Sequence, residues 1–398
     1  MNFDNSNNTL TLYLVGRIDA NNSADIESEI AEVLAKNPGM TPRFDASELE
    51  YISSAGLRVL LKYRKAFRKD LDVLNVSSDV YEIFEVTGFT ELLNVKKKLR
   101  EISVDGLEVI GSGYTSTVYR IDPDTIVKVF THPMFTSARI EADQKISREV
   151  FLHDIPTAIS FDVVKCGEHY GLVYEMIDAD TVSGTLKKHP ERLEELSIKM
   201  AHLMKKLHTT EFTPGTFPDA RDILHRGMQV VFDRKFITAD DRAFLDGLID
   251  RIPDGNTFVH FDYHPKNVMV SNNELVLIDV GDAALGNLIT DLLITYSHFV
   301  SMARWAAGRG TDAHERAIGL DWKTLGAMWD IIMPEYFGTT DKETLNRYAE
   351  ILSNYAPMTI LCMLRGTPIP EEKRAAVAAP LVESLRSVKD PLQSIEII

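Results

Sequence analysis

At 398 residues with 44% hydrophobic content, the chain is long enough for two or three domains of ~150 residues with ample buried cores. A net charge of −16 argues against a nucleic-acid binder, which needs a basic face, and two cysteines, Cys166 and Cys362, form neither a disulfide framework nor a zinc spacing. No basic-then-apolar leader and no run of ~20 apolar residues occurs, so a cytoplasmic protein without a membrane partner is expected.

In chain order, Leu10–Ile18 alternates as a strand, with Leu10, Leu12 and Leu14 on one face. Asp25–Leu34 carries the helical stripe Ile26, Ile30, Val33 and Leu34, with Ser23 as the expected N-cap. Phe44–Ser47 ends a second short extended piece. Ser53–Phe67 is the next helix, Leu71–Val76 a strand, and Asp79–Glu85 a helix. The order βαβαβα predicts an α/β module over residues 1–100. The basic run Lys96-Lys97-Lys98 is expected to close the last helix or to serve as a linker.

The stretch DASELEYISSAGLRVLL (Asp45–Leu61), with LVGRIDA (14–20) and FEVTGFTELL (84–93), resembles the STAS family of anti-sigma-factor antagonists. In that family a Ser just before this helix is phosphorylated, and the charge selects the protein partner. The matching position is Ser54; the Asp that often precedes it is replaced by Ser53. Apart from the resemblance, a phosphate at a helix start would meet free N–H groups and the positive end of the dipole. A plain cap that is never modified fits the residues equally well.

From residue 104 to about 180 the residues suggest a nucleotide lobe. Gly111, Ser112 and Gly113 form a hairpin turn that can approach phosphates without side-chain obstruction. Ser116 stands where a third glycine of such a loop would be. Lys128, between Val127 and Val129, is placed to reach α- and β-phosphates. The helix Ala138–Leu152 offers Glu149 to hold Lys128 by an ion pair, with Glu141 as the competing acid. After two further strands, backbone groups from Glu175 to Ile177 are candidates for an adenine edge.

Residues 181–398 are mainly helical, beginning with an amphipathic run from Glu191 to Leu207. Within them, TFVHFDYHPKNVMVSNNELVLIDVGD (257–282) places His260, Asp262 and Asn267 in one loop and Asp279 after the next apolar run. VMV and LVLI, separated by Ser271–Glu274, read as a hairpin whose open ends bring Asn267 and Asp279 together. An amide and a carboxylate suit Mg²⁺, which takes its other oxygens from water and phosphate. Asp262 is left to accept or orient an incoming hydroxyl, His260 to prop the loop, and Lys266 to reach a phosphate. Asp291 opens an apolar helix and is expected to be buried as a brace for the loop.

From Leu107 to about Leu293 the chain resembles the aminoglycoside phosphotransferase and choline kinase family, whose fold is that of the eukaryotic protein kinases. The resemblance rests on VHFDYHPKNVMV and LIDVGDAALGNLITDL. It implies Asp262 as catalytic acid, Asn267 and Asp279 as metal ligands, and Lys128 as the phosphate-contacting lysine. The expected architecture is therefore an α/β STAS-like domain followed by an α+β, bilobal, protein-kinase-like domain. The expected activity moves the γ-phosphoryl of ATP, with Mg²⁺, to a hydroxyl of a small molecule. The first hundred residues carry a net charge of −2, leaving −14 for the rest, so a cationic acceptor is one expectation. Two rivals stay open: a protein serine kinase or partner-switching regulator using Ser54, and a non-catalytic nucleotide-sensing module.

Overall fold

The computed structural model of the chain describes residues 1–6, 9–67, 71–113, 115–364 and 369–388. Two compact units divide it, Met1–Ile102 and Ser103–Ile398.

The first unit runs β1 (Phe3–Ser6), β2 (Thr9–Ile18), α1 (Ser23–Lys36), β3 (Thr41–Ile52), α2 (Ser54–Phe67), β4 (Asp72–Val76), α3 (Ser78–Val86) and β5 (Asn94–Lys97), with the two-residue β6 (Arg100–Glu101) at its end. Its sheet has the order β1-β2-β3-β4-β5. Only the β1–β2 pair is antiparallel; β2, β3, β4 and β5 are parallel neighbours. Leu10, Leu12, Leu14, Phe44 and Val73 are buried against Ile30, Leu57, Leu60 and Phe84 of the helices.

Three expectations change. The second extended piece does not stop at Ser47: β3 stays paired with β2 as far as Ile18↔Ile52, because Leu49 and Ile52 are buried as well. Ser23 is the first residue of α1 and not its cap. Asn22 precedes it without a capping bond, its side chain being held by the Asp19 N–H and the Arg17 carbonyl. The basic run is neither helix nor linker; Lys96 and Lys97 belong to β5, where buried Val95 anchors the strand and Lys97 lies 4.3 Å from the Tyr81 ring centre.

The second unit opens with β7 (Val109–Ser112), β8 (Ser116–Arg120) and β9 (Thr125–Phe130), followed by α4 (Ser137–Leu152), β10 (Ser160–Cys166) and β11 (His169–Glu175). These strands are antiparallel neighbours in the order β10-β11-β9-β8-β7. Lys128 sits in β9 opposite Val118 and Leu172, and its neighbours Val127 and Val129 are buried, which turns the lysine to the other face.

Helices dominate the remainder: α5 (Val182–Lys188), a 3₁₀ turn (Pro190–Arg192), α6 (Leu193–Thr209), α7 (Ala220–Asp233) and α8 (Ala239–Ile249). Then come β12 (Thr257–Val259), β13 (Val268–Ser271), β14 (Glu274–Leu277) and β15 (Ala284–Gly286). The chain continues through α9 (Leu288–Tyr296), a π-helical turn (Ser297–Ser301), α10 (Met302–Gly308), α11 (Ala313–Ile318), α12 (Trp322–Phe337), α13 (Lys342–Met363) and α14 (Glu371–Ser387). One apolar core joins α4, α6, α7, α9, α12 and α13 and reaches the β13–β14 hairpin through Val268, Leu275 and Leu277. No helix of the described residues is long and apolar enough to cross a membrane.

Gly171 of β11 ties this packing to Lys128. A Cβ there would stand 2.8 Å from Val127 Cγ2 and 3.3 Å from the Lys128 carbonyl oxygen. Gly171→Ala should cost about 1–3 kcal/mol by overpacking, read as a lower urea midpoint at unchanged slope. An unchanged midpoint would mean that β9 yields without cost.

Candidate active site

The loop that carries Asp262 hangs between two short strand pairs. β12 pairs with β15, and β13 with β14 in the register Val268↔Leu277 to Ser271↔Glu274. The hairpin turn is Asn272-Asn273 with φ of 50° and 65°, the left-handed pair that a two-residue turn requires and that asparagine tolerates. At the open end the Ile278 N–H donates to the Asn267 carbonyl at 2.9 Å, which sets Asp279 beside Asn267 as the spacing predicts.

Asp262 is clamped from several directions. Asn267 Nδ2 donates to its Oδ2 at 2.9 Å and to its carbonyl at 3.0 Å. His298 Nε2 and His264 Nε2 lie 3.1 and 3.3 Å from Oδ1. Protein atoms hem the carboxylate in, yet 46% of the side-chain surface stays open. Burial alone would raise its pKa; the imidazoles of His264 and His298 more than offset this and hold the carboxyl well below the usual carboxylate range. The group is thus an ionised acceptor of hydrogen bonds.

The loop itself is braced from below. His260 is fully buried, and its Nδ1 accepts the Asp262 N–H at 3.2 Å. Phe261 has φ of 67°, a left-handed angle that its side chain disfavours. Asp291 of α9, fully buried, accepts the Phe261 N–H at 2.9 Å and faces His208 Nε2 at 3.1 Å. His208 Nδ1 in turn lies 2.6 Å from the Tyr336 hydroxyl. Burial works to raise the pKa of Asp291, but the bond to His208 prevails and lowers it. Tyr263 donates its hydroxyl to the Met200 carbonyl at 2.7 Å, tying the loop to α6.

On the other side of the site, Lys128 Nζ stands 2.6 Å from Asp279 Oδ1, joining β9 to the segment after the hairpin. The expected Glu149–Lys128 pair is corrected here: the ion-pair partner of Lys128 is Asp279. The α4 acid on which the charge of Lys128 acts is Asp143, buried at 5% exposure and held by Arg139 Nε at 2.9 Å. Arg139 also pairs with Asp282. Burial, helped by Asp282 and Asp279 and opposed by Arg139 and Lys128, pushes Asp143 up to about 7. Gly281 is small for a reason: a Cβ there would meet Asp143 Cβ and Cγ at 3.0 Å.

The turn from Gly111 through Gly113 closes with the Gly113 N–H on the Ser116 carbonyl at 2.9 Å. Neither glycine has positive φ, so what they contribute is the lack of side chains. Ser116 is buried at the start of β8. After β11, the Glu175 N–H bonds the Ile159 carbonyl and the Met176 N–H the Asp124 carbonyl. Glu175 Oε1 accepts the Ile159 N–H, so this acid braces the connection. Among the described residues the Ile177 N–H has no such partner. Lys266 is a second correction: its Nζ donates to the Ala317 carbonyl at 3.1 Å, so it is held in the helical lobe instead of standing free for a phosphate.

A cavity of about 170 Å³ opens beside Asp262. Its charged lining is Asp262 and Asp282; the apolar wall includes Ile223, Phe261, Ile294 and Met363, with Gly227 and Cys362 also facing it.

Three residues of this site escaped the sequence reading: His264, His298 and Asp143. His264 lies inside the quoted loop, and Arg139–Asp143 has the i,i+4 spacing of a helix pair. For His298 the sequence carries no local signal. Asp291→Ala should destabilise the protein by about 3–5 kcal/mol, because it leaves a buried imidazole and a strained N–H without their partner. Chemical denaturation measures this; a loss under about 1 kcal/mol would remove the brace.

Comparison with known proteins agrees with this architecture. Residues 106–325 match the phosphotransferase enzyme family model, and residues 1–102 match the STAS domain model. An anti-sigma-B factor antagonist of Listeria monocytogenes is 28% identical over 90 residues, covering 22% of this chain and 78% of the relative. A putative anti-sigma factor antagonist of Bordetella bronchiseptica is 32% identical over 98 residues, 24% of this chain and 84% of that one. Similar solved chains include an ADP-bound aminoglycoside phosphotransferase, APH(2'')-Ib, at 17% identity and a TM-score of 0.46, covering 76% of this chain and 97% of that chain. A choline/ethanolamine kinase family protein from Mesorhizobium loti is 14% identical with a TM-score of 0.46, over 72% and 90%. The chain belongs to the phosphotransferase enzyme family, and its N-terminal unit is a STAS domain related to the anti-sigma factor antagonists.

Proposed function

We propose that the chain is a kinase that moves the γ-phosphoryl group of ATP to a hydroxyl of a small molecule, with the STAS unit as a regulatory module that engages a protein partner. The observation that carries this reading is the convergence of Lys128, Asp279, Asn267 and Asp262 through contacts of 2.6 and 2.9 Å, although 151 positions separate the first two. In this reading Gly111, Ser112 and Gly113 cover the phosphates, and the Glu175 carbonyl and Ile177 N–H take the adenine edge. Lys128 contacts the α- and β-phosphates.

The donor set fits Mg²⁺. Asn267 gives its Nδ2 to Asp262, which leaves its Oδ1 as the ligand atom, and Asp279 adds a carboxylate; both are hard oxygens. Among the described residues no group of three or more His, Cys, Asp or Glu forms a metal cage, so the remaining ligands would be phosphate oxygens and water. When bound, the ion would neutralise charge on the transferring phosphoryl group. Asp262, ionised and rigidly held, orients the acceptor hydroxyl for in-line attack and takes its hydrogen bond. The cavity beside it presents two carboxylates and no cation among its lining residues, which supports a cationic alcohol as acceptor.

ADP release across a library of hydroxyl metabolites tests the reading and identifies the acceptor. With that acceptor, Asp262→Ala should lower kcat by ~10²–10⁴ with folding retained. Turnover unchanged in the variant would remove Asp262 from the role.

A second reading, protein serine kinase activity on Ser54 of the chain itself or of a partner, has its own support. Ser53 Oγ accepts the Ala55 and Gly56 N–H groups at 3.2 and 3.4 Å, so Ser53 is the cap of α2. Ser54 is left exposed at the first helical position. Incubation with Mg-ATP followed by mass spectrometry should place a phosphate on Ser54 in the wild type and none in Asp262→Ala. Unmodified Ser54 in both would discard the cis version.

A further inference from the structure

The residue that nothing in the catalytic motif announces is His298. It lies in the π-helical turn Ser297–Ser301, between α9 and α10, and is buried at 9% exposure. π turns insert one residue into a helix and gather at functional sites. This one is well anchored. Ser297 Oγ donates to the Leu293 carbonyl at 2.7 Å and bonds Thr359 Oγ1 at 3.0 Å. His314 Nε2 lies 2.7 Å from the His298 carbonyl, and the two imidazoles stack with centres 6.2 Å apart. Burial, with the nearby His298 and His264, lowers His314 to about 4, so His314 is neutral near pH 7 and its ring N–H can donate to that carbonyl.

Of the groups that clamp Asp262, Asn267 and His264 belong to the catalytic loop and move with it. Among the described residues, His298 alone comes from outside, with Nε2 3.1 Å from Oδ1. Neither ring nitrogen of His298 makes a well-directed hydrogen bond among the described residues. For the fold alone this is an expensive use of a buried position that a phenyl ring would fill without loss. Ile294, one turn earlier, lines the cavity beside Asp262, so the same helical run touches the cavity and the carboxylate.

We propose that His298 is a positioning residue for phosphoryl transfer: from outside the catalytic loop it fixes the orientation of the Asp262 carboxylate toward the acceptor hydroxyl. This rests on the kinase reading above. Its effect therefore falls on turnover and not on nucleotide binding.

Two substitutions separate positioning from packing. His298→Gln keeps a donor near the place of Nε2; His298→Leu fills the space without one. Leu should lower kcat by about 10²-fold with nucleotide KM unchanged, and Gln should restore most of the loss. Equal kcat in both variants, whether both are reduced or both match the wild type, overturns the proposal. A measurement that needs no acceptor accompanies these: the side-chain torsion of Asp262 in crystal structures of the wild type and of His298→Leu. Asn267 and His264 remain in the variant, so a carboxylate that turns from its wild-type orientation reports the loss of His298. An unmoved carboxylate overturns the positioning even if no acceptor is ever found. Absence of turnover in the wild type with every acceptor tells against the kinase reading and leaves this comparison to decide His298.

Discussion

A fully buried carboxylate, Asp291, holds the amide of Phe261 at a backbone angle that an aromatic residue avoids, and the geometry of the site follows from that bond. Such an angle costs roughly 1–3 kcal/mol and persists only where the surroundings impose it. With Phe261 fixed, Asp262 projects into the cavity, while His260 and Tyr263 are turned inward: His260 accepts the Asp262 N–H of its own loop, and Tyr263 reaches the Met200 carbonyl of α6. The placement of Phe261 and Asp262 on the cavity between two buried residues, His260 and Tyr263, is thus held from α9, an element outside the loop.

The second constraint joins the β7–β11 sheet and α4 to the loop. Lys128 on β9 and Arg139 on α4 reach Asp279 and Asp282, which flank the small Gly281. Asp143 sits beneath Arg139 and against Gly281. The three acids repel one another and two cations hold them, so a change in the charge carried by this segment would be felt in both β9 and α4. Tyr174 lies in the same field; burial first, then Asp279 and Asp143, push its phenol up and keep it neutral.

Much of the fold was legible because its signals are local. Alternating leucines gave β2, turn-prone Asn272-Asn273 gave the β13–β14 hairpin, and the register of that hairpin brings Asn267 and Asp279 together. What failed depended on which of several candidate contacts the folded chain makes, near in sequence for Ser23 and distant for the acids and His298. Glu149 and Asp143 both lie on α4, but six residues at 3.6 per turn put them on different faces, and only packing selects which face meets Lys128. Ser23 looked like a cap, but Asn22 is already bound to Asp19 and Arg17. His298 depends on a π turn and on the fold of residues more than thirty positions beyond the loop. No periodicity in the sequence reports either.

Where α7 meets α13, the wall of the cavity includes two small residues. Gly227 presents no side chain, and the Cys362 sulfur stands only 3.1 Å from where a Cβ on Gly227 would be. Neither belongs to the machinery around Asp262. Homologous chains could therefore reshape the chamber by exchanging these two positions alone, widening or filling it a methyl group at a time. Diversification of what enters would then proceed independently of the machinery that acts on it.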